Sequence, residues 1–417
     1  MTLGTKTTLS ARFAARWATA KALVRRSSAG PVDNVLAAAV IALIGFGIVM
    51  VYSSSAFEAA VRNSDPQFYV RRQAAYGLLA LGLMWLGSRI DYRLVRPLTY
   101  PVLIFVTGLL VATVIGFGKK AGNAYRWLQV GPINVQPSEM AKVALVLWLA
   151  YSLSKKAERV RSFKVGLLPH LVVVGFLMIL CLRQPDFGSA AVLAFITGAL
   201  LFIAGGRVLY LLTCLGLAVA GAVVLVKLSP YRMARWMAFS DMDAHRQSIA
   251  YQPFQSVMSF GSGGIFGNGL GRGYQVLYLP EAHTDFVSAI IGEELGFVGI
   301  LALMTTYAVI VWRGIKIALE ADDDYGSFIA FGLAILLGTQ VLLNLSVAMA
   351  IMPTKGLTLP FISYGGSSLI VSAASIGILL SISRRRDTNE PRRLSMEPKG
   401  PVQSASAVIA TAAEEGT

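Results

Sequence analysis

Ten apolar runs, at about 33–54, 73–89, 97–117, 137–154, 164–182, 186–204, 208–228, 287–312, 325–350 and 363–383, decide what this chain can fold into. A helix needs about 20 such residues to cross a bilayer, and in hydrocarbon only helices and closed barrels satisfy their own backbones. The runs predict an all-α polytopic integral membrane protein of about ten transmembrane helices. Composition agrees: charged residues make up 14% of the 417 and mean hydropathy is +0.63, where soluble proteins carry roughly 25% charged residues.

Basic residues orient the runs. Arg89, Arg93 and Arg96 follow the second, Lys155, Lys156, Arg159, Arg161 and Lys164 the fourth, Arg207 the sixth, Arg313 and Lys316 the eighth. With the basic N-terminal tail and Arg384 to Arg386 they fall on one side, which predicts that both termini are cytoplasmic. The division is then a basic tail at 1–32, a transmembrane domain at 33–384 and a polar, disordered tail at 385–417. The longest outer segment, 229–286, joins the seventh and eighth runs.

Several classes are set aside. The net charge of +15 is spread over tails and loops that meet lipid headgroups, so nucleic acid is not a partner. Cys181 and Cys214 lie in apolar runs with no disulfide or zinc spacing and read as small buried hydrophobes. The first thirty residues lack the apolar core of a cleavable signal, and 10–24 read as a basic amphipathic helix or as a solvated tail. The Gly-rich stretch Gly261 to Gly273 matches no phosphate-loop pattern and reads as a flexible or tightly turning loop whose backbone can approach a substrate. Asp322 to Asp324 read as a solvated cap and His170 as a core histidine.

The outer segments carry Lys119, Lys120, Arg126, Arg183, Arg232, Arg235, Arg246, Arg272 and Lys355, against the usual charge bias. Basic groups there suit either lipid headgroups or an anionic ligand. At the end of the long loop, Asp285 stands beside His283 and Thr284 at the edge of the eighth run. It reads equally as a helix N-cap and as a general base whose pKa is raised by burial. Glu293 and Glu294 follow inside the run, and only Glu293 shares the face of Asp285; both read as buried supports. Glu139 and Lys142, three apart, read as a structural ion pair or as site residues. Arg232 and Arg235 form a cation pair if their segment is helical. A carboxylate base with cations at a membrane face suits transfer of a sugar from a lipid diphosphate, and equally transport of an anionic lipid.

The motifs then resemble a known family. The blocks Tyr125-Arg126-Trp127, Gln136-Pro137-Ser138-Glu139 with Lys142, Gln184-Pro185-Asp186-Phe187-Gly188 and Pro230-Tyr231-Arg232 are similar to those of the SEDS (shape, elongation, division and sporulation) membrane proteins. So are Pro280-Glu281-Ala282-His283-Thr284-Asp285-Phe286, Ile291-Gly292-Glu293-Glu294-Leu295-Gly296, and the run from Met352-Pro353-Thr354-Lys355-Gly356 to Ser363-Tyr364-Gly365-Gly366. Pro280 to His283 and the extended tails resemble the division members more than the elongation members. One departure is Ala250-Tyr251-Gln252, where division members often carry Gly-Tyr-Gln.

The resemblance implies a peptidoglycan glycosyltransferase in the plasma membrane, at the division septum. It implies polymerisation of lipid II onto an undecaprenyl diphosphate-linked glycan, with a class B penicillin-binding transpeptidase and other division proteins as partners. By the same resemblance Asp285 is the catalytic base. Arg126, Glu139, Lys142, Asp186, Arg232 and Lys355 line the substrate cavity, and His283 and Thr284 position the loop. A divalent cation, magnesium or manganese, is compatible with the diphosphate, and no ligand set for it is legible. A lipid II flippase and a non-catalytic division scaffold are the competing expectations.

Overall fold

A helix occupies each of the ten apolar runs in the computed structural model, which describes residues 31–384 apart from 122–123, 132, 157–158 and 355. The expectations for 1–30, for 385–417 and for Lys355 lie outside the described residues. The helices are α1 (Asn34–Asn63), α2 (Phe68–Arg89), α3 (Thr99–Ala112), α4 (Pro137–Lys155), α5 (Leu168–Arg183), α6 (Phe187–Ile203) and α7 (Val208–Lys227). After them come two shorter helices of the long loop, α8 (Pro230–Ser240) and α9 (Tyr251–Gly263), then α10 (Val287–Glu320), α11 (Asp324–Ala348) and α12 (Gly366–Ser383).

Seven of the ten qualify as membrane-crossing on length and hydropathy alone, α3 and α5 together with the helical turns that flank them. The other three explain themselves by position. Helix α6 is apolar but has 17 residues. Helix α2 begins with Arg71, Arg72 and Gln73, and α4 carries Glu139 and Lys142. Helix α4 is buried along most of its length, so its polar groups meet protein, not lipid. The opposite extreme is α7, with no buried residue. Its leucines and valines point outward on all sides, as on a helix surrounded by acyl chains.

Helix ends are set by aspartates. Asp33 accepts from the Leu36 amide and pairs with Arg313 at the far end of α10. Asp323 accepts from the Gly326 amide (2.7 Å) and also binds Tyr92 and Arg93. The acidic turn at 322–324 is therefore a cap, and one that ties two loops together. His170 bonds Ser152 and the Gly166 carbonyl and packs on Trp148, as a core histidine does.

Two segments depart from simple helix-and-loop order. Residues 119–135 form a small antiparallel sheet, β1 (Lys119–Ala121), β2 (Ala124–Val130) and β3 (Ile133–Val135), with Leu128 opposite Val135. The segment is too short and polar to show a period, so nothing in its sequence announces strands. The second is 351–365, of which 351–362 reads from sequence as an outer connection. It folds back into the bundle, burying Leu357, Leu359, Phe361 and Ile362. The Tyr307 hydroxyl, well along α10, donates to the Pro360 carbonyl, and Gln73 of α2 donates to the Ser363 carbonyl. Irregular backbone at that depth survives only where neighbouring protein supplies its hydrogen bonds.

Helix α10 is broken. Gly296 has φ 66° and ψ −163°, and the Gly-rich loop fills the gap. The Phe297 and Val298 amides donate to the Gly264 and Ile265 carbonyls, while Asn268 and Gly269 donate to the carbonyls of Glu293 and Glu294. The side chains join in: Glu293 accepts from the Tyr274 amide (2.7 Å) and Glu294 from the Ser53 hydroxyl (2.5 Å). Both glutamates are therefore struts of this joint. Upstream, α9 starts with Ala250 at φ −86°, so the missing glycine there is not required by backbone geometry.

Candidate functional site

The loop 278–286 is a tight turn pinned at both ends. Leu279, Ala282 and Phe286 are buried anchors. Thr284 closes the turn, its amide and hydroxyl donating to the Glu281 carbonyl and its hydroxyl also to the Glu281 carboxylate (2.9 Å). His283 packs in a three-ring cluster with Tyr69 and Tyr364, and its carbonyl accepts from the Tyr364 amide. Its Nδ1 is 3.4 Å from the Glu58 carboxylate. Burial holds this imidazole below its ordinary value, against the upward pull of Glu58 and Glu281.

Asp285 is what this turn presents. Helix α10 starts after Phe286 with no side-chain cap, so neither Thr284 nor Asp285 serves as the N-cap. Among the described residues nothing donates a hydrogen bond to the Asp285 carboxylate. Its backbone, by contrast, is fixed: the Asn344 amide of α11 donates to its carbonyl at 2.9 Å and to the Leu357 carbonyl at 2.6 Å. Gly356 packs so near that a Cβ there would lie 3.0 Å from Oδ2. Desolvation, helped by Glu281, pushes the carboxyl up to about 7, while Arg126 and Arg235 pull it down. Such a group is ionised for a useful fraction of the time near neutral pH and remains basic enough to take a proton.

The other expected residues divide. Arg126, on β2, donates to the Gln184 and Pro185 carbonyls, which fixes its charge near Asp285 through carbonyls instead of a carboxylate. Asp186 acts on Asp285 electrostatically, but its oxygens are taken by the Ser189 amide at the start of α6 and by Ser138. Arg232 stacks on Phe187 at 4.0 Å and donates to the Leu225 carbonyl near the end of α7. Its partner on helical α8, Arg235, is the one near Asp285, where it donates to the Thr354 carbonyl. Spacing placed both on one helix face but gave no means of choosing between them.

Glu139 and Lys142 sit inside the bundle, not at the loop. Lys142 Nζ is 2.7 Å from Glu139, Gln340 of α11 takes the second carboxylate oxygen, and Lys142 is fully buried. Lys142→Met leaves a buried carboxylate with one amide partner and is expected to cost roughly 3–5 kcal/mol of stability. The double change Glu139→Gln with Lys142→Met is expected to recover most of that loss. Thermal unfolding in detergent checks both. A single variant as stable as the parent would mean that the pair does not hold the bundle.

Asn344 and Gly356 carried no sequence signal beyond a lone amide in an apolar run and one glycine among several. Among the described residues no group of three His, Cys, Asp or Glu side chains converges to hold a metal ion. The charged groups that act on Asp285 are two arginines, Arg126 and Arg235, and two carboxylates, Glu281 and Asp186.

With that geometry in place, comparison with known proteins is informative. The profile of the FtsW/RodA/SpoVE family, described as cell cycle proteins, matches residues 34–388. A probable peptidoglycan glycosyltransferase FtsW from Trichlorobacter lovleyi is 44% identical over 353 residues, 84% of this chain and 93% of the relative. Stage V sporulation protein E of Bacillus subtilis is 37% identical over 356 residues, 84% of this chain and 97% of its own length. Among solved structures, a chain from work on polymerization and crosslinking by a peptidoglycan synthase complex is similar at a TM-score of 0.71. It is 30% identical and is covered over 98% of its length and 85% of this chain. The rod shape determining protein RodA of Thermus thermophilus is similar at 0.64 with 29% identity, over 99% of its length and 86% of this chain.

Proposed function

This chain belongs to the FtsW/RodA/SpoVE family of multi-pass membrane proteins, and we propose that it is a peptidoglycan glycosyltransferase that polymerises lipid II at the outer membrane face during septal wall synthesis. The observation that carries the reading is the Asp285 carboxylate. It is held by its backbone, left without a hydrogen-bond donor among the described residues, and raised toward neutrality beside two arginines.

In the proposed step, Asp285 accepts the proton of the 4-hydroxyl on the acceptor sugar as that oxygen attacks the anomeric carbon of the lipid-linked glycan. The new C–O bond forms as the bond to the diphosphate breaks, and undecaprenyl diphosphate leaves. Negative charge grows on the leaving oxygens, and fixed guanidinium groups such as Arg126 and Arg235 stabilise it because they are already oriented before it develops. Arg126 is suited to this by its two carbonyl anchors. Lys355, one residue before Gly356, joins them in this reading by its place in the motif. A class B penicillin-binding transpeptidase is the proposed partner, and both termini face the cytoplasm.

Purified protein with its transpeptidase is expected to convert lipid II into glycan strands, resolved by length on a gel. In proteoliposomes, transbilayer movement of labelled lipid II with no polymer would instead establish a flippase.

A further inference from the structure

The Asn344 side chain makes three hydrogen bonds at one junction. Its amide nitrogen reaches two carbonyls, Asp285 at 2.9 Å and Leu357 at 2.6 Å, and its oxygen accepts from the Ser288 hydroxyl at 3.1 Å. Three separate pieces of chain meet there: the reaction loop, the infolded 351–365 segment, and the first turn of α10. Asn344 is 1% exposed and sits near the end of α11, one turn beyond the other buried amide of that helix, Gln340. A buried amide in such a place is costly to keep unless its nitrogen and its oxygen are both partnered, and here both are.

The two carbonyls it bridges bracket the catalytic carboxylate. On one side is the Asp285 backbone itself. On the other, Leu357 adjoins Gly356, whose α-carbon faces Asp285 Oδ2. Cutting either bond frees the loop to move relative to the segment that confines the carboxylate. Ser288 contributes by fixing which way the Asn344 amide points.

We infer that Asn344 is the positioning residue of this site, clamping the Asp285 backbone to the infolded segment so that the carboxylate stays half-buried against Gly356. The inference rests on the glycosyltransferase reading above. It assigns Asn344 no contact with substrate.

The consequence is specific. Around Asp285 the charged groups are Glu281 on its own loop, Asp186 at the head of α6, Arg126 on β2 and Arg235 on α8, while Lys355 lies outside the described residues. None of these is bonded to Asn344. Loosening the clamp therefore acts through solvation: water reaches the carboxylate, and its pKa falls from about 7 toward the ordinary 3.8. A displacement of about 1 Å at a reacting group costs on the order of 100-fold in rate.

The test measures lipid II polymerisation against pH for the full chain with its transpeptidase. Asn344→Leu is expected to lower kcat on the order of 100-fold with KM nearly unchanged, and to move the acid limb down by about one pH unit or more. Ser288→Ala is expected to move the limb the same way by less. The double variant should match Asn344→Leu alone, because Ser288 acts through Asn344. Folded Asn344→Leu protein with lowered rate but an unmoved limb would reduce Asn344 to a packing residue and overturn the inference. If Asn344→Leu does not fold, Ser288→Ala decides, and an unchanged rate and limb there overturns it. Parent protein that makes no polymer would fail the functional reading itself, a result that these variants cannot mimic.

Discussion

Asp285→Ala protein, purified with its transpeptidase partner, is expected to leave lipid II unpolymerised, with the rate down at least 100-fold to 10,000-fold. The residue's only bond to the rest of the fold among the described residues runs through its backbone carbonyl, which the variant keeps. Folding should therefore be intact. Normal polymer from this variant would refute the assignment of the base. The parent's activity should fall as pH drops through about 7, because the working form is the ionised one. Asp285→Asn separates catalysis from folding. The folded pKa lies above the ordinary 3.8, so ionising Asp285 opposes folding. That penalty is absent below the ordinary value, grows as pH rises toward 7 and is complete above it. Asp285→Asn is thus expected to be inactive yet more stable than the parent at pH 8, by roughly 2–4 kcal/mol at most. The difference should vanish near pH 4. A variant less stable than the parent at pH 8 would mean that the carboxylate is a structural group.

The chain's sequence shows some of this design and hides the rest, for physical reasons. Membrane helices are written locally, since each must satisfy its own backbone and present apolar atoms to lipid, and all ten could be located. Asp285 was legible because an ionisable group at the edge of hydrocarbon needs a reason to be there. Whether it capped α10 or stood ready as a base was not legible, since both readings need the same residue at the same position. The cap is excluded only by where α10 begins, after Phe286 and with no side-chain hydrogen bond at its first turn. The choice of Arg235 over Arg232 was not legible either. Helical spacing puts both on α8, but Arg232 packs on Phe187 while Arg235 bonds the Thr354 carbonyl and acts on Asp285. Glu139 and Lys142 read from spacing as an ion pair or as site residues; the ion pair is present, and its further partner Gln340 comes from another helix, 201 residues away. Contacts of that kind leave no period and no spacing to read.

The Gly-rich loop makes the point most severely, and Gly267→Ala is expected to be among the most damaging single changes available to this fold. Gly267 has φ 78°, where an L side chain is strained, at a cost of roughly 1–2 kcal/mol on its own. A Cβ there would also run into the carbonyl group of Glu294, which is backbone and cannot turn aside. To make room, the loop must withdraw from the break at Gly296. The amides of Asn268 and Gly269 would then lose the carbonyls of Glu293 and Glu294, and those of Phe297 and Val298 would lose Gly264 and Ile265. Each orphaned buried group costs about 1–3 kcal/mol, so the total exceeds 3 kcal/mol even if water recovers most of the bonds. Gly271→Ala is the control. Its φ is 73°, so the backbone strain is similar, but a Cβ there meets open space. It should cost only about 1–2 kcal/mol. Thermal unfolding of the two variants in detergent compares them directly, and similar losses would show that the loop is not locked into the broken helix. Polymerisation should follow stability, because residues 274 and 275 are bonded to Glu293 immediately before the chain enters the turn that carries Asp285. Withdrawing the loop from the break removes the floor on which that turn is built.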